Sequence, residues 1–157
     1  MIEQIHTFFT LEMIYLWLNL GVLPFWLILI VFPQSQICRV FVTSIFPIFI
    51  MSLSYLYILY MNFIEGYDFL KNFELYLGLD AIGNLFADRS FLILFWVHFL
   101  AMNLFCGGWI VKDSQKFDIN KILISLPILI TYFIGPIGLT LYWIIRIFYA
   151  KRISLYD

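Results

Sequence analysis

Apolar residues run along this chain in four stretches of membrane length, about 13–32, 40–63, 91–111 and 122–148, with one long polar connection, 65–90. A bilayer core of about 30 Å takes roughly 20 apolar residues per helix. The pattern therefore predicts an all-α, polytopic bundle of four transmembrane helices, a single integral membrane domain over 1–157. In the first half of the connection Phe69, Leu70, Phe73, Tyr76 and Leu77 lie opposite Asp68, Lys71, Asn72 and Glu74, which reads as a short interfacial helix between helices 2 and 3. Gly78 and Gly83 break that pattern, and Leu79, Ile82, Leu85 and Phe86 then either dip toward the bundle as a lid or form a passive surface connector.

Polar side chains at membrane depth are costly, so those inside the apolar runs carry the most information. In the first run Glu12, Tyr15, Asn19 and Trp26 fall within about 60° of arc at 100° per residue, a face expected to look into the bundle. Pro24 is expected to bend that helix, with Asn19 covering a freed carbonyl. The second run is rich in Ser and Tyr and contains Pro47; its hydroxyls are expected to bond their own backbone. The third carries His98, Asn103, Gly107, Gly108, Trp109 and then Asp113. His98, Met102 and Trp109 share one face, and Trp96, Asn103 and Gly107 another roughly 140° away, which predicts a central helix touched on both sides. In the fourth, Thr131, Gly135, Gly138, Tyr142 and Arg146 form a stripe about 80° wide, where small residues permit close helix approach beside Pro136. Arg146 has two readings, a partner inside the bundle or snorkelling to the interface near the basic tail.

Composition sharpens the class. Of 157 residues 64% are hydrophobic, 21% aromatic and only 12% charged, and mean hydropathy is +0.97, which excludes an ordinary soluble domain. No basic run is present to track a phosphate backbone, so nucleic acid is excluded as a partner. Cys38 and Cys106 have neither CxxC nor metal spacing and read as small apolar fillers. No basic segment precedes the first run, which favours a retained helix over a cleaved signal peptide. With four crossings, Lys71, Arg89, Arg146, Lys151 and Arg152 fall on one side and Arg39, Lys112, Lys116 and Lys121 on the other, a near balance that leans only to cytoplasmic termini. The Ile-, Phe- and Asn-heavy usage suggests a bacterial cytoplasmic or photosynthetic membrane.

His98 has three readings: an interhelical hydrogen bond to Tyr142, Thr131 or Asn19, a general acid or base, or a haem or metal ligand. The last is the weakest, because the other histidine, His6, precedes the first run and no Cys/His cluster accompanies either. No metal or cofactor is expected.

The run WVHFLAMNLFCGGWIVKD (96–113), with LPILITYFIGPIGLTLYWIIR (126–146), NLGVLPFWLILIVFP (19–33) and the LYLGL connection, resembles the plant neoxanthin synthase family, also called abscisic-acid-deficient-four-like proteins, and its bacterial relatives. Trp96, His98, Leu104, Phe105 and Asp113 match one family motif, and Gly135-Pro136-Ile137-Gly138 another. Two positions depart: Asn103 stands where the family usually has Asp, and Gly108 where it has Arg.

The resemblance implies carotenoid metabolism, in plants the conversion of the epoxide violaxanthin to the allene neoxanthin. Such an isomerisation needs an acid for the epoxide oxygen and a base for a vinylic proton. His98 is one candidate, with Asp113, Glu12 or a tyrosine as the second. A carotenoid or other long isoprenoid is then expected between spans one, three and four. Asn19, Asn103, Thr131, Tyr142 and Arg146 would orient it, and Trp96, Phe105 and Trp109 would wall the polyene. The rival reading is a non-catalytic membrane subunit that binds a partner protein or stabilises a pigment complex, the partner being another membrane protein or a second copy of the chain. A transporter is a weaker third, since no internal repeat is evident.

Overall fold

The computed structural model describes residues 9–151 and residue 154, and every regular element among them is helical. Helix α1 (Leu11–Val31) starts where Thr10 Oγ1 accepts the Met13 amide at 3.3 Å. A π-helical turn (Cys38–Val42) leads into α2 (Phe46–Ile64), a 3-10 helix (Phe69–Tyr76) and α3 (Leu79–Ala87). Helix α4 (Arg89–Lys116), capped by Asp88, is followed by α5 (Lys121–Phe133), capped by Asn120, and α6 (Gly135–Ala150). Among the described residues three segments are long and apolar enough to cross a membrane: α1, Cys38–Ile64 and α4.

Cross-helix contacts fix the directions. Glu12 meets Arg89, Asn19 meets Trp96 and Pro33 meets Gln115, so α1 and α4 run parallel. The Phe9–Tyr57 and Phe25–Phe46 ring pairs, with the Asn62–Ser90 hydrogen bond, make α2 antiparallel to both. Helix α4 packs against α1, α2, α3, α5 and α6, the central position its two polar faces predict. Small residues let these helices pack closely. Gly107 shows it: a Cβ there would sit 2.9 Å from the Trp26 ring and 3.3 Å from Leu29.

The fourth apolar stretch is not one helix. The chain breaks at Ile134 (φ −141°, ψ 85°) and doubles back, so that the Pro127 carbonyl lies 2.6 Å from where a Gly138 Cβ would stand. Gly138 permits that approach. Helices α5 and α6 are about 20 and 24 Å long at 1.5 Å per residue, each short of a bilayer core of about 30 Å. They form a hairpin that descends along α4 to Asn103 and climbs back to Asp113. Pro136 suits the break, since in the first turn of α6 its missing N–H costs nothing, although Pro24 and Pro127 sit inside unbroken helices. Pro47 likewise lies in the first turn of α2 instead of mid-helix.

The hairpin changes the charge count. Among the described residues, the end of the bundle holding the start of α1 and the 65–88 connection carries only Lys71 and Arg89 as cations, beside Glu12, Glu65, Asp68, Glu74, Asp80 and Asp88. The opposite end carries Arg39, Lys112, Lys116, Lys121, Arg146 and Lys151 against Asp113 and Asp118. The two ends of the described chain therefore lie on opposite faces, not on one face as four crossings would require; Arg152 and His6 fall outside the described residues. At the acidic end Tyr67 donates to Asn72 Oδ1 at 2.7 Å, and burial, with Asp88, Asp68 and Glu74 adding, raises its phenol above the ordinary value.

The 65–88 connection is two short helices. Leu70, Phe73, Tyr76 and Leu77 are exposed, Leu85 is buried, and the Phe86 ring packs on Phe91 and Phe95 of α4.

Candidate functional site

Three groups of polar side chains sit on α4, one at each of its flanks. The first is buried. Asp113 Oδ2 accepts the Tyr142 hydroxyl at 2.6 Å and Arg146 Nε at 2.6 Å, and Oδ1 accepts Arg146 Nη2 at 3.4 Å. Arg146 is 2% exposed, its guanidinium lies 4.7 Å from the Phe117 ring centre, and Nη2 also donates to the Ser154 carbonyl at 3.1 Å. Burying one charge is costly unless its partner and hydrogen bonds are all present, and here they are. Arg146 thus pairs inside the bundle and does not snorkel. Trp109 packs edge-on against Tyr142, with ring centres 5.6 Å apart.

The second group lines the seam of α2 and α4. His98, Ala101, Phe105, Gly108 and Lys112 recur at spacings of three and four, one face of a helix. Two grooves follow one another along that face. One, about 340 Å³, holds His98 with Met51, Ser52, Tyr55 and Val97. The next, about 410 Å³, is lined by Ile45, Ile48, Phe105, Gly108 and Trp109, with Thr43, Ser44 and Lys112 at its polar end. Nothing approaches a Gly108 Cβ closer than the Val42 carbonyl at 4.0 Å, so the missing side chain is what leaves this groove open. His98 is exposed here and makes none of the hydrogen bonds to Tyr142, Thr131 or Asn19 that a buried histidine would need. Those three bond Asp113, the Pro127 carbonyl, and Trp96 with the Tyr15 carbonyl respectively. Asn19 therefore donates to the Tyr15 carbonyl and not to the Leu20 carbonyl that Pro24 frees.

The third group lies between the first turns of α1 and α4, where Glu12 and Arg89 pair at 3.2 Å above Tyr15 and Trp96. Glu12 and Tyr15 are exposed, while Asn19 is half-buried and Trp26 buried, so only the lower part of that face looks inward.

The residues expected to act together are thus distributed. Asp113, Tyr142, Arg146 and Trp109 meet; Glu12, Asn19 and Trp96 share the α1/α4 side; His98 and Phe105 occupy the α2/α4 seam. Thr131 is spent within the hairpin. Asn103 is 7% exposed, wedged against Gly135 at the hairpin tip, and its Nδ2 has no acceptor among the described residues. Tyr55, Ser52 and Lys112 went unassigned from sequence, although the three-four spacing of the α4 face was readable there. Among the described residues no cluster of His, Cys, Asp or Glu is placed to hold a metal ion.

Among the described residues the fold is all-helical, with three membrane-length helices and a hairpin folded onto the third, a form compatible with an integral membrane protein. The chain belongs to the ABA DEFICIENT 4-like family, whose sequence model matches residues 13–142. No curated protein and no solved structure matched it.

Proposed function

We propose that this protein lies in a membrane and binds a long isoprenoid of carotenoid type along the α2/α4 seam. The resemblance to the neoxanthin synthase family suggests the ligand class, and one observation supports this location: the unbroken face His98, Ala101, Phe105, Gly108 and Lys112, about 21 Å from end to end at 1.5 Å per residue, opposite Ile48 and Tyr55 of α2. Apolar grooves with a few polar groups at their ends suit an extended polyene. Phe105 and Trp109 wall it, as the sequence suggests, but α2 replaces α1 as the opposite face.

Any proton transfer to the ligand falls to His98, which carries no competing hydrogen bond among the described residues and shares its groove with Tyr55 and Ser52. Asp113 has its lone pairs engaged by Tyr142 and Arg146, and Glu12 lies across α4 on the α1 side, so neither carboxylate faces the seam. The cation-rich end faces the cytoplasm, because translocation disfavours Lys and Arg near helix ends.

Expression in carotenoid-producing bacteria tests the reading. Purified in mild detergent, the protein should carry carotenoid, and a product absent from control cells that disappears with His98→Ala would make it an enzyme acting on that carotenoid. Stoichiometric co-purification of a partner protein with no pigment would establish the non-catalytic subunit instead.

A further inference from the structure

We propose that the groove between the first turns of α1 and α4 is a binding site for a zwitterionic aminophospholipid. Arg89 holds the phosphate, Glu12 holds the ammonium, and an acyl chain lies against Tyr15, Leu92, Ile93 and Trp96. This site is separate from the α2/α4 seam and does not depend on what binds there.

Charge and shape carry the assignment. Arg89 Nη1 and Glu12 Oε1 stand 3.2 Å apart with side chains 83% and 80% exposed, presenting one cation and one anion side by side. Directly below them a groove of about 480 Å³ is lined by apolar and aromatic side chains. Its wall is built in advance: Trp96 Nε1 donates to Asn19 Oδ1 at 3.2 Å, Trp96 stacks on Phe99, and Tyr15 packs on Trp96 at 5.7 Å. Aromatic rings at that level, where α4 enters its apolar run, match the depth of a headgroup boundary.

An exposed ion pair adds little to stability, so opening it costs the fold little. Each partner then regains a charge-assisted hydrogen bond, Arg in a fork suited to phosphate. A purely anionic headgroup fits worse. Glu12 already balances Arg89, Asp88 precedes it in the chain, and the same end carries Glu65, Asp68, Glu74 and Asp80. The ammonium of an ethanolamine headgroup turns that acidic surround into an attraction.

Native mass spectrometry of the full chain in mild detergent reads the site directly, with phosphatidylethanolamine, phosphatidylglycerol of the same acyl chains, and soluble phosphoethanolamine as probes. One phosphatidylethanolamine per chain should survive, with phosphatidylglycerol bound roughly tenfold more weakly, the equivalent of about 1.4 kcal/mol. Glu12→Gln should reverse that preference by removing the ammonium's partner, and Arg89→Gln should lose both lipids. Neither variant should shift thermal unfolding, which separates lost binding from lost fold. Equal retention of the two lipids, unaltered by either substitution, would mean unselective annular lipid and overturn the proposal. So would phosphoethanolamine binding as well as the intact lipid, since the acyl groove would then contribute nothing.

Discussion

Asp113 of α4 and Arg146 of α6, 33 residues apart in sequence, meet at 2.6 Å in a site where their side chains are 7% and 3% exposed. With the Tyr142 hydroxyl on the same carboxylate oxygen, the pair fastens the rising arm of the hairpin to the central helix. Removing one partner strands the other charge, so Asp113→Ala should destabilise the protein by roughly 3–5 kcal/mol. Replacing both, as Asp113→Leu with Arg146→Met, should cost much less, because no buried charge remains. Thermal unfolding in detergent compares them. A double variant as damaged as the single would show that the pair itself holds the hairpin.

Neighbouring glycines should answer the same substitution in opposite ways. Gly107→Ala drives a methyl to 2.9 Å from the Trp26 ring in a packed interface and should destabilise by roughly 1–3 kcal/mol. At Gly108 the nearest atom is 4.0 Å away, so Gly108→Ala should be neutral or slightly stabilising through helix propensity. Unfolding midpoints that fall equally in both variants would contradict this packing of α1 on α4.

Asn103 offers a stability gain. Its buried Nδ2 lacks an acceptor among the described residues, and an unmet buried donor costs about 1–3 kcal/mol. Asn103→Leu, similar in size and without that donor, should hold or raise the unfolding temperature. A clear loss would mean that the amide is bound in the folded protein.

Much of this was legible in the chain. The first three apolar runs became α1, Cys38–Ile64 and α4, because length and hydropathy alone decide a span. The central position of α4 followed from polar residues on two faces. The fourth run failed for a physical reason: 122–148 has the hydropathy of a span, but Pro136 fits a helix start better than a helix interior, and Gly138 allows the two arms to touch. Hydropathy averaging cannot see that choice. The polar residues of that run were correctly singled out, and Arg146 found Asp113 because the hairpin returns it to the level of the α4 terminus. Of the three readings of His98, the interhelical hydrogen bond to Tyr142, Thr131 or Asn19 is not made, since a helix wheel gives the angle between residues but not which face is left exposed.

Topology gives a sharper check of the hairpin than stability does. Residues 72 and 118 lie at opposite ends of the bundle, in the 3-10 helix and just beyond α4. In a background with Cys38 and Cys106 replaced by alanine, Asn72→Cys should react with a membrane-impermeant maleimide on intact cells. Asp118→Cys should react only after permeabilisation, and so should a cysteine at Lys151. A residue 151 probe that labels on the same side as residue 72 would restore the fourth crossing and remove the hairpin.

The ligand assignment meets its most direct test in the groove that Gly108 leaves open. Wild type, Gly108→Phe and Gly107→Ala proteins, each purified from carotenoid-producing cells, are compared for bound pigment by absorption and chromatography, with unfolding midpoints measured alongside. The α2/α4 site predicts that Gly108→Phe stays folded and loses its pigment, while Gly107→Ala loses stability and keeps pigment in whatever fraction remains folded. Undiminished pigment on a folded Gly108→Phe protein would place the isoprenoid elsewhere and contradict the account.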